Sequence, residues 1–154
     1  MEEIIIRKAS LNDMNTLLLF EQAVINAERP FDKTIKRGRT NYYNMHELIT
    51  APHIELMVAQ LGDQLIGSGY ARIENAKPFL QHSQHAYLGF MYVDEKHRGK
   101  GINKMIIDEL KKWAITKGMK ELRLDVYVEN VGAIKAYEKA GFLKLMVEMR
   151  LGLG

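Results

Sequence analysis

The stretch Arg98-Gly99-Lys100-Gly101-Ile102-Asn103 constrains the fold of this chain more than any other. Before it, Tyr87 to Val93 reads as a strand. After it, Ile102, Met105, Ile106, Leu110 and Trp113 mark one face of a helix that stops at Gly118. A chain that leaves a strand, turns on two glycines and enters an amphipathic helix must bury that helix against a sheet.

The rest of the sequence supplies that sheet. Ile4-Ile5-Ile6 is short and β-branched, as buried strands are. Ser10 is a helix N-cap with Asp13 three residues on, and Met14, Leu17, Leu18, Val24 and Ile25 follow at helical spacing up to Pro30. A second helix is expected over 40–49. Strands over 54–61 and 64–73 flank the hairpin turn Gly62-Asp63. Leu122, Leu124, Val126 and Val128 alternate as a strand does. Ala133, Ala136, Tyr137 and Ala140 share the face of a short helix ended by Gly141. Leu143, Leu145, Val147 and Met149 predict a last strand. The expected order is β-α-α-β-β-β-α-β-α-β. This is an α/β (α+β) fold with a mixed, mostly antiparallel sheet flanked by helices, in one domain over residues 1–154.

Charge separates the two halves. Residues 1–80 carry 9 Lys and Arg against 10 Asp and Glu, whereas residues 81–154 carry 13 against 9. The basic half holds the Gly-rich stretch and suits a polyanionic small ligand. The excess is too mild for a nucleic-acid partner, and no nucleic-acid motif accompanies it. No apolar run is long enough for a membrane span, and the acidic start Met1-Glu2-Glu3 is unlike a secretory signal. The absence of cysteine excludes disulfides, thiol nucleophiles and thiolate metal sites. No nucleic-acid partner, no membrane association and no metal are expected, and a cytoplasmic location fits.

Glycines at 99 and 101 let backbone N–H groups approach a ligand, and the helix behind them presents unpaired donors and a partial positive charge. With Arg98, Lys100 and Lys104 this makes a phosphate site. The spacing is not that of a P-loop. A dinucleotide fingerprint needs a third glycine at position 104, where Lys stands.

A second segment, Asn130-Val131-Gly132-Ala133-Ile134-Lys135-Ala136-Tyr137-Glu138-Lys139-Ala140-Gly141-Phe142, follows about thirty residues on. Together the two segments resemble the GNAT N-acetyltransferase superfamily. Arg98, Gly101 and Asn103 fall on the fixed positions of its pyrophosphate motif, with Asn103 where a smaller residue is usual. Asn130, Ala133, Tyr137, Lys139, Gly141 and Phe142 match its second motif.

The resemblance implies acetyl-CoA as cosubstrate and direct attack of a primary amine on the thioester. It implies a pantetheine arm between splayed fourth and fifth strands, bonded by backbone groups near Met91 and Val93. Arg98, Gly99, Lys100, Gly101, Ile102 and Asn103 would hold the pyrophosphate, while Asn130, Tyr137 and Lys139 would contact the cofactor further on. Tyr137 would also donate the proton taken by the CoA thiolate.

For the base, Gly89 stands where some relatives carry Glu. Glu74 is the first candidate, followed by His85, Tyr87 or a water relay. The acceptor, a small-molecule or peptide amine, would meet 28–43 and 75–84. Tyr42-Tyr43 there can wall a pocket or pack a helix onto the sheet. A non-catalytic acyl-CoA sensor is the alternative reading. The apolar last strand leaves a homodimer open.

Overall fold

The computed structural model describes residues 2–154, in two compact units, 2–124 and 125–154. The first holds β1 (Ile4–Lys8), α1 (Met14–Glu28), α2 (Met45–Thr50), β2 (Ile54–Leu61), β3 (Gln64–Asn75), β4 (Gln84–Val93), α3 (Ile102–Thr116) and β5 (Leu122–Arg123). The second holds α4 (Val131–Lys139).

The strands run in the order β1-β2-β3-β4-β5, antiparallel except for the parallel β4–β5 pair. Side chains alternate between the two faces of a strand. On one face Leu56, Val58, Tyr70 and Phe90 pack with Leu17 and Phe20 of α1 and Met45, Leu48 and Ile49 of α2. On the other face α3 buries Ile102, Ile106, Ile107, Leu110 and Ala114. Each large aliphatic side chain there contributes about 1.5–3 kcal/mol. Gly67 and Gly69 bring β3 close to α3. A Cβ on Gly69 would stand 2.9 Å from Ile106 Cγ2 and 2.6 Å from Met91 Sδ.

The local signals near the N-terminus act as expected. Asp13 Oδ2 accepts from the Ser10 N–H at 2.8 Å, and the two Asp13 oxygens also receive the Arg7 guanidinium at 2.9 Å each. Gly62 takes φ 59° in the hairpin turn.

Three expectations fail. The second helix begins at Met45 rather than Thr40 because Glu21, fully buried in α1, accepts from the backbone N–H groups of Tyr42 and Tyr43 at 2.9 and 2.8 Å. Those amides cannot then serve a helix, and Asn44 caps the shorter one by accepting from the Glu47 N–H. The fifth strand ends at Arg123, although alternation runs to Val128, because its pairing with β4 stops there. Residues 142–154 form no strand. Alternation supplies two faces but no pairing partner, and only Val147 among 143–149 is β-branched.

Candidate active site

The site is built on an irregularity in β4. Opposite β3, Tyr70 pairs with Gly89 and Ser68 with Tyr92, so Phe90 and Met91 both face the single residue Gly69. This is a β-bulge, which bends and twists its strand. Phe90 takes φ 54°, the left-handed region that a bulky side chain occupies only at a penalty of about 1–3 kcal/mol. Two contacts hold it there. Its carbonyl accepts from the buried Ser68 hydroxyl at 3.0 Å, and its ring lies 5.0 Å from that of Tyr43 in the core.

The pairing of β4 with β5 is also short, comprising Ala86 with Leu122 and Tyr87 with Arg123. Beyond it, among the described residues, no strand pairs with Leu88–Val93 on that side, and Met91 and Val93 lie on this stretch.

Beyond Val93 the chain is tied down and then released. The Asp94 N–H donates to the Ile66 carbonyl at 2.7 Å. The Asp94 carboxylate pairs with His97 Nδ1 at 3.0 Å, a bond that, ahead of smaller contributions, holds this acid below the usual carboxylate range. Arg98 Nε donates to the Val93 carbonyl at 3.2 Å, which orients the guanidinium beside the end of β4. Gly99 and Gly101 both take φ 78°, and a Cβ on either would meet nothing within 4 Å. Their surroundings are therefore open, while their backbone demands glycine.

Gly101 is the N-cap of α3, and its carbonyl accepts from Met105 N–H at 3.1 Å. The helix's first N–H groups, around Ile102, Asn103 and Lys104, have no partner within the helix. Ile102 anchors the turn at 1% exposure, and Asn103 is half-buried. The turn thus presents backbone donors, a helix terminus and cationic side chains, which together suit a phosphate.

A row of aromatic rings lies on the α1/α2 face. Tyr42 and Tyr43 meet edge to face at 5.7 Å and Tyr43 and Tyr70 at 5.9 Å, while Tyr70 and Tyr87 lie tilted at 6.5 Å. Tyr43 thus packs into the core. Arg72 lies over the Tyr70 and Tyr87 rings at 5.3 and 5.7 Å. Burial pushes the Tyr43 and Tyr70 hydroxyls well above and above their ordinary values, so neither loses a proton near neutrality.

Two carboxylates belong to this row. Glu74 Oε2 is bound by Arg72 at 2.7 Å, and Glu74 Oε1 stands 3.6 Å from His85 Nε2. Glu28 Oε1 accepts from the Tyr42 hydroxyl at 2.8 Å. Burial raises Glu28 above its ordinary pKa despite that bond. Sequence reasoning passed over Glu28. The available signal was an acid in the last turn of α1, where the helix dipole opposes negative charge.

Gly89, where a strand carboxylate stands in some relatives, is occupied from across the sheet. A Cβ there would lie 2.4 Å from Tyr70 Cζ and Oη. The Tyr70 ring fills the space that a side chain at 89 would use.

In the second unit, Asn130 caps α4 by accepting from the Ala133 N–H at 3.3 Å. The helix ends in a Schellman turn. Phe142 N–H bonds the Tyr137 carbonyl and Gly141 N–H the Glu138 carbonyl, both at 3.0 Å, with Gly141 at φ 106°. The turn folds the Phe142 ring onto that of Tyr137, edge to face at 5.8 Å. Tyr137, Gly141 and Phe142 therefore act as one unit that fixes the half-buried Tyr137 ring, while Lys139 is exposed.

The model of the acetyltransferase (GNAT) family matches residues 22–142. A streptothricin acetyltransferase from Escherichia coli is 37% identical over 57 residues, which cover 37% of this chain and 33% of that protein. The match thus spans a third of that relative's length. A mutant of the BH1408 protein from Bacillus halodurans superposes with a TM-score of 0.87 at 21% identity, covering 97% of this chain and 99% of that one. The aminoglycoside N-acetyltransferase AAC(6')-Iy, solved in complex with CoA, superposes with a TM-score of 0.73 at 19% identity, covering 97% of this chain and 100% of that one. The two structural likenesses show the fold, and the family match spans both motifs; the chain belongs to the acetyltransferase (GNAT) family.

Proposed function

We propose that this protein transfers an acetyl group from acetyl-CoA to a primary amine on a small molecule or peptide, and that residues 1–154 work as one domain in doing so. The observation that carries the reading is the end of the β4–β5 pairing at Tyr87, ahead of the Phe90 bulge and the open left-handed turn at Gly99 and Gly101. A stretch of β4 without a strand partner offers N–H and C=O groups to the amide-bearing pantetheine arm. Met91 and Val93 supply them. The turn from Arg98 to Asn103 takes the pyrophosphate on backbone donors and the α3 terminus, with Arg98 and Lys100 adding charge. Asn103, half-buried at the second helical position, contributes its backbone N–H. Asn130 and Lys139 complete the cofactor contacts.

The amine attacks the thioester carbon. A C–N bond forms, the C–S bond breaks, and the electron pair leaves on sulfur. Tyr137 gives that thiolate a proton. An amine is largely protonated near neutrality and must lose a proton before attack. Glu74 Oε2 is already engaged by the Arg72 guanidinium. Glu28, raised by burial and bonded to Tyr42, is better suited. We assign Glu28 as base and Glu74 as the acid that fixes Arg72 over the aromatic row.

The test is thiol release from acetyl-CoA with a panel of small amines, aminoglycosides and peptide N-termini. Turnover on at least one amine is expected, falling about 100-fold in Tyr137→Phe, the low end of general acid catalysis. Tight CoA binding without release on any amine would identify a sensor instead. Full turnover in Tyr137→Phe would remove Tyr137 as the acid.

A further inference from the structure

We propose that His82, His85 and Glu121 form a binding site for a divalent first-row transition metal ion, Zn(II) being the best fitted. The site ties the β3–β4 connection to the entry of β5. It departs from the expectation of no metal.

The three residues come from separate places. His82 sits in the β3–β4 connection, His85 at the start of β4, and Glu121 immediately before β5. The sheet brings them together, since Ala86 pairs with Leu122 and the Ala86 N–H donates to the Glu121 carbonyl at 3.0 Å. One ligand atom from each residue lies within 4.8 Å of the others. Ligand atoms around a tetrahedral zinc ion stand about 3.4 Å apart, given bond lengths of about 2.0–2.1 Å. His82 Nε2 and Glu121 Oε1, at 3.2 Å, already have that separation. The third ligand closes by a side-chain movement of about 1 Å on the same scale.

The hydrogen-bond pattern gives the independent reason. His85 is 8% exposed, and its Nδ1 is buried without a hydrogen-bond partner. His82 Nε2 is likewise buried, with Glu121 Oε1 at 3.2 Å as its neighbour. A buried imidazole nitrogen left unsatisfied is costly. A cation between His82, His85 and Glu121 would satisfy such nitrogens together.

The outer partners fit as well. His85 Nε2 faces Glu74 Oε1 at 3.6 Å, which leaves Nδ1 as the nitrogen for the metal. Ligating histidines commonly turn their other nitrogen to a carboxylate. Glu74 is braced by Arg72 at 2.7 Å, and Glu121 Oε1, the oxygen nearest His82, also accepts from Arg123 Nε at 2.5 Å, so each carboxylate is held by an arginine. Two imidazoles and one carboxylate are a donor set for Zn(II), with Co(II) as a spectroscopic substitute. A cleft of about 690 Å³ lined by His82, Gln84, Lys117 and Lys120 lies beside the first of these ligands.

The test uses the untagged full-length protein stripped with a chelator. Zn(II) is titrated calorimetrically, and Co(II) is followed by its visible absorption. One equivalent should bind, Co(II) should give the intense bands of a four-coordinate site, and Zn(II) should raise the thermal midpoint by several degrees. His85→Ala and, on the loop where folding is safe, His82→Ala should each weaken binding at least 10–100-fold, roughly the range that outer partners alone command. Absence of stoichiometric binding would overturn the site. So would undiminished binding in both variants, which would place the metal on other histidines.

Discussion

Gly89→Ala tests whether the aromatic row is packed as tightly as it is drawn. The new methyl would lie 2.4 Å from Tyr70 Cζ and Oη and 2.7 Å from Cε2, where ordinary contact begins at 3.4 Å. The ring must therefore swing by about 1 Å, as the overlap with a normal contact distance requires. It has little freedom to do so. Tyr70 is 3% exposed and is bounded by Tyr43, Tyr87 and Arg72. Overpacking of this kind costs about 1–3 kcal/mol, and disturbing one ring pair adds about 0.5–1.5 kcal/mol. Alanine's better strand behaviour offsets about 0.5–1 kcal/mol. The net loss is about 2 kcal/mol, a fall of about 4–8 °C in Tm for a chain of this size. The assay is a double-mutant cycle by thermal or urea unfolding, with Tyr70→Val as the second change. In the Tyr70→Val background the methyl has room, so Gly89→Ala becomes neutral or mildly stabilising. An unchanged Tm in the single variant, or the same loss in both backgrounds, would refute the packing argument.

Other outcomes follow from the same geometry. Asp13 is held below its ordinary pKa chiefly by the Arg7 hydrogen bonds, so its stabilisation is complete above about pH 4 and is lost as pH falls through the lower folded value. Asp13→Asn should lose about 1–2 kcal/mol at pH 7, after allowance for the partly exposed Arg7, and nothing further at low pH; urea unfolding at several pH values reads this. Glu28 is raised by burial, so its contribution to stability is full below the ordinary carboxylate pKa and falls as pH rises through the folded value. Glu28→Gln should therefore be more stable than wild type at pH 7 yet lose the acidic limb of the kcat/KM profile; an unchanged profile removes Glu28 as base. Gly101→Ala, at φ 78° with open space around it, should lose about 1–2 kcal/mol from backbone strain and weaken CoA binding by calorimetry. Gly132→Ala, equally unobstructed but inside α4, should instead be stabilising by about 0.5–1 kcal/mol.

Features set by a few adjacent residues were legible in the sequence. Ser10 with Asp13, Gly62-Asp63, Asn130 and Gly141 each act through hydrogen bonds or φ values within about four residues, so their chemistry is written locally. The Arg98–Asn103 turn is also local, and its glycines adopt the conformation that only glycine takes readily. What escaped was set across the sheet. The helix expected from Thr40 is shortened by a carboxylate about twenty residues upstream, at Glu21. The strand expected to Val128 ends at Arg123, where its pairing with β4 stops at Tyr87, and no periodicity of 122–128 encodes that stop. Glu74 could be picked as an acid at a strand end, but its bond to Arg72 appears only once β3 is extended. His82, His85 and Glu121 are close only because β4 and β5 are parallel neighbours at Ala86 and Leu122.

The short pairing of β4 with β5 also bears on how the protein behaves without its cosubstrate. A strand segment with unpaired amides on one side is a template for another chain. In the reading proposed above, the pantetheine arm supplies two or three of the missing hydrogen bonds and works as a surrogate strand. CoA should then slow amide hydrogen exchange selectively along Leu88–Val93 and suppress self-association of concentrated protein. Cofactor loading becomes a matter of solubility as well as catalysis, and purification with CoA present should yield the better-behaved sample.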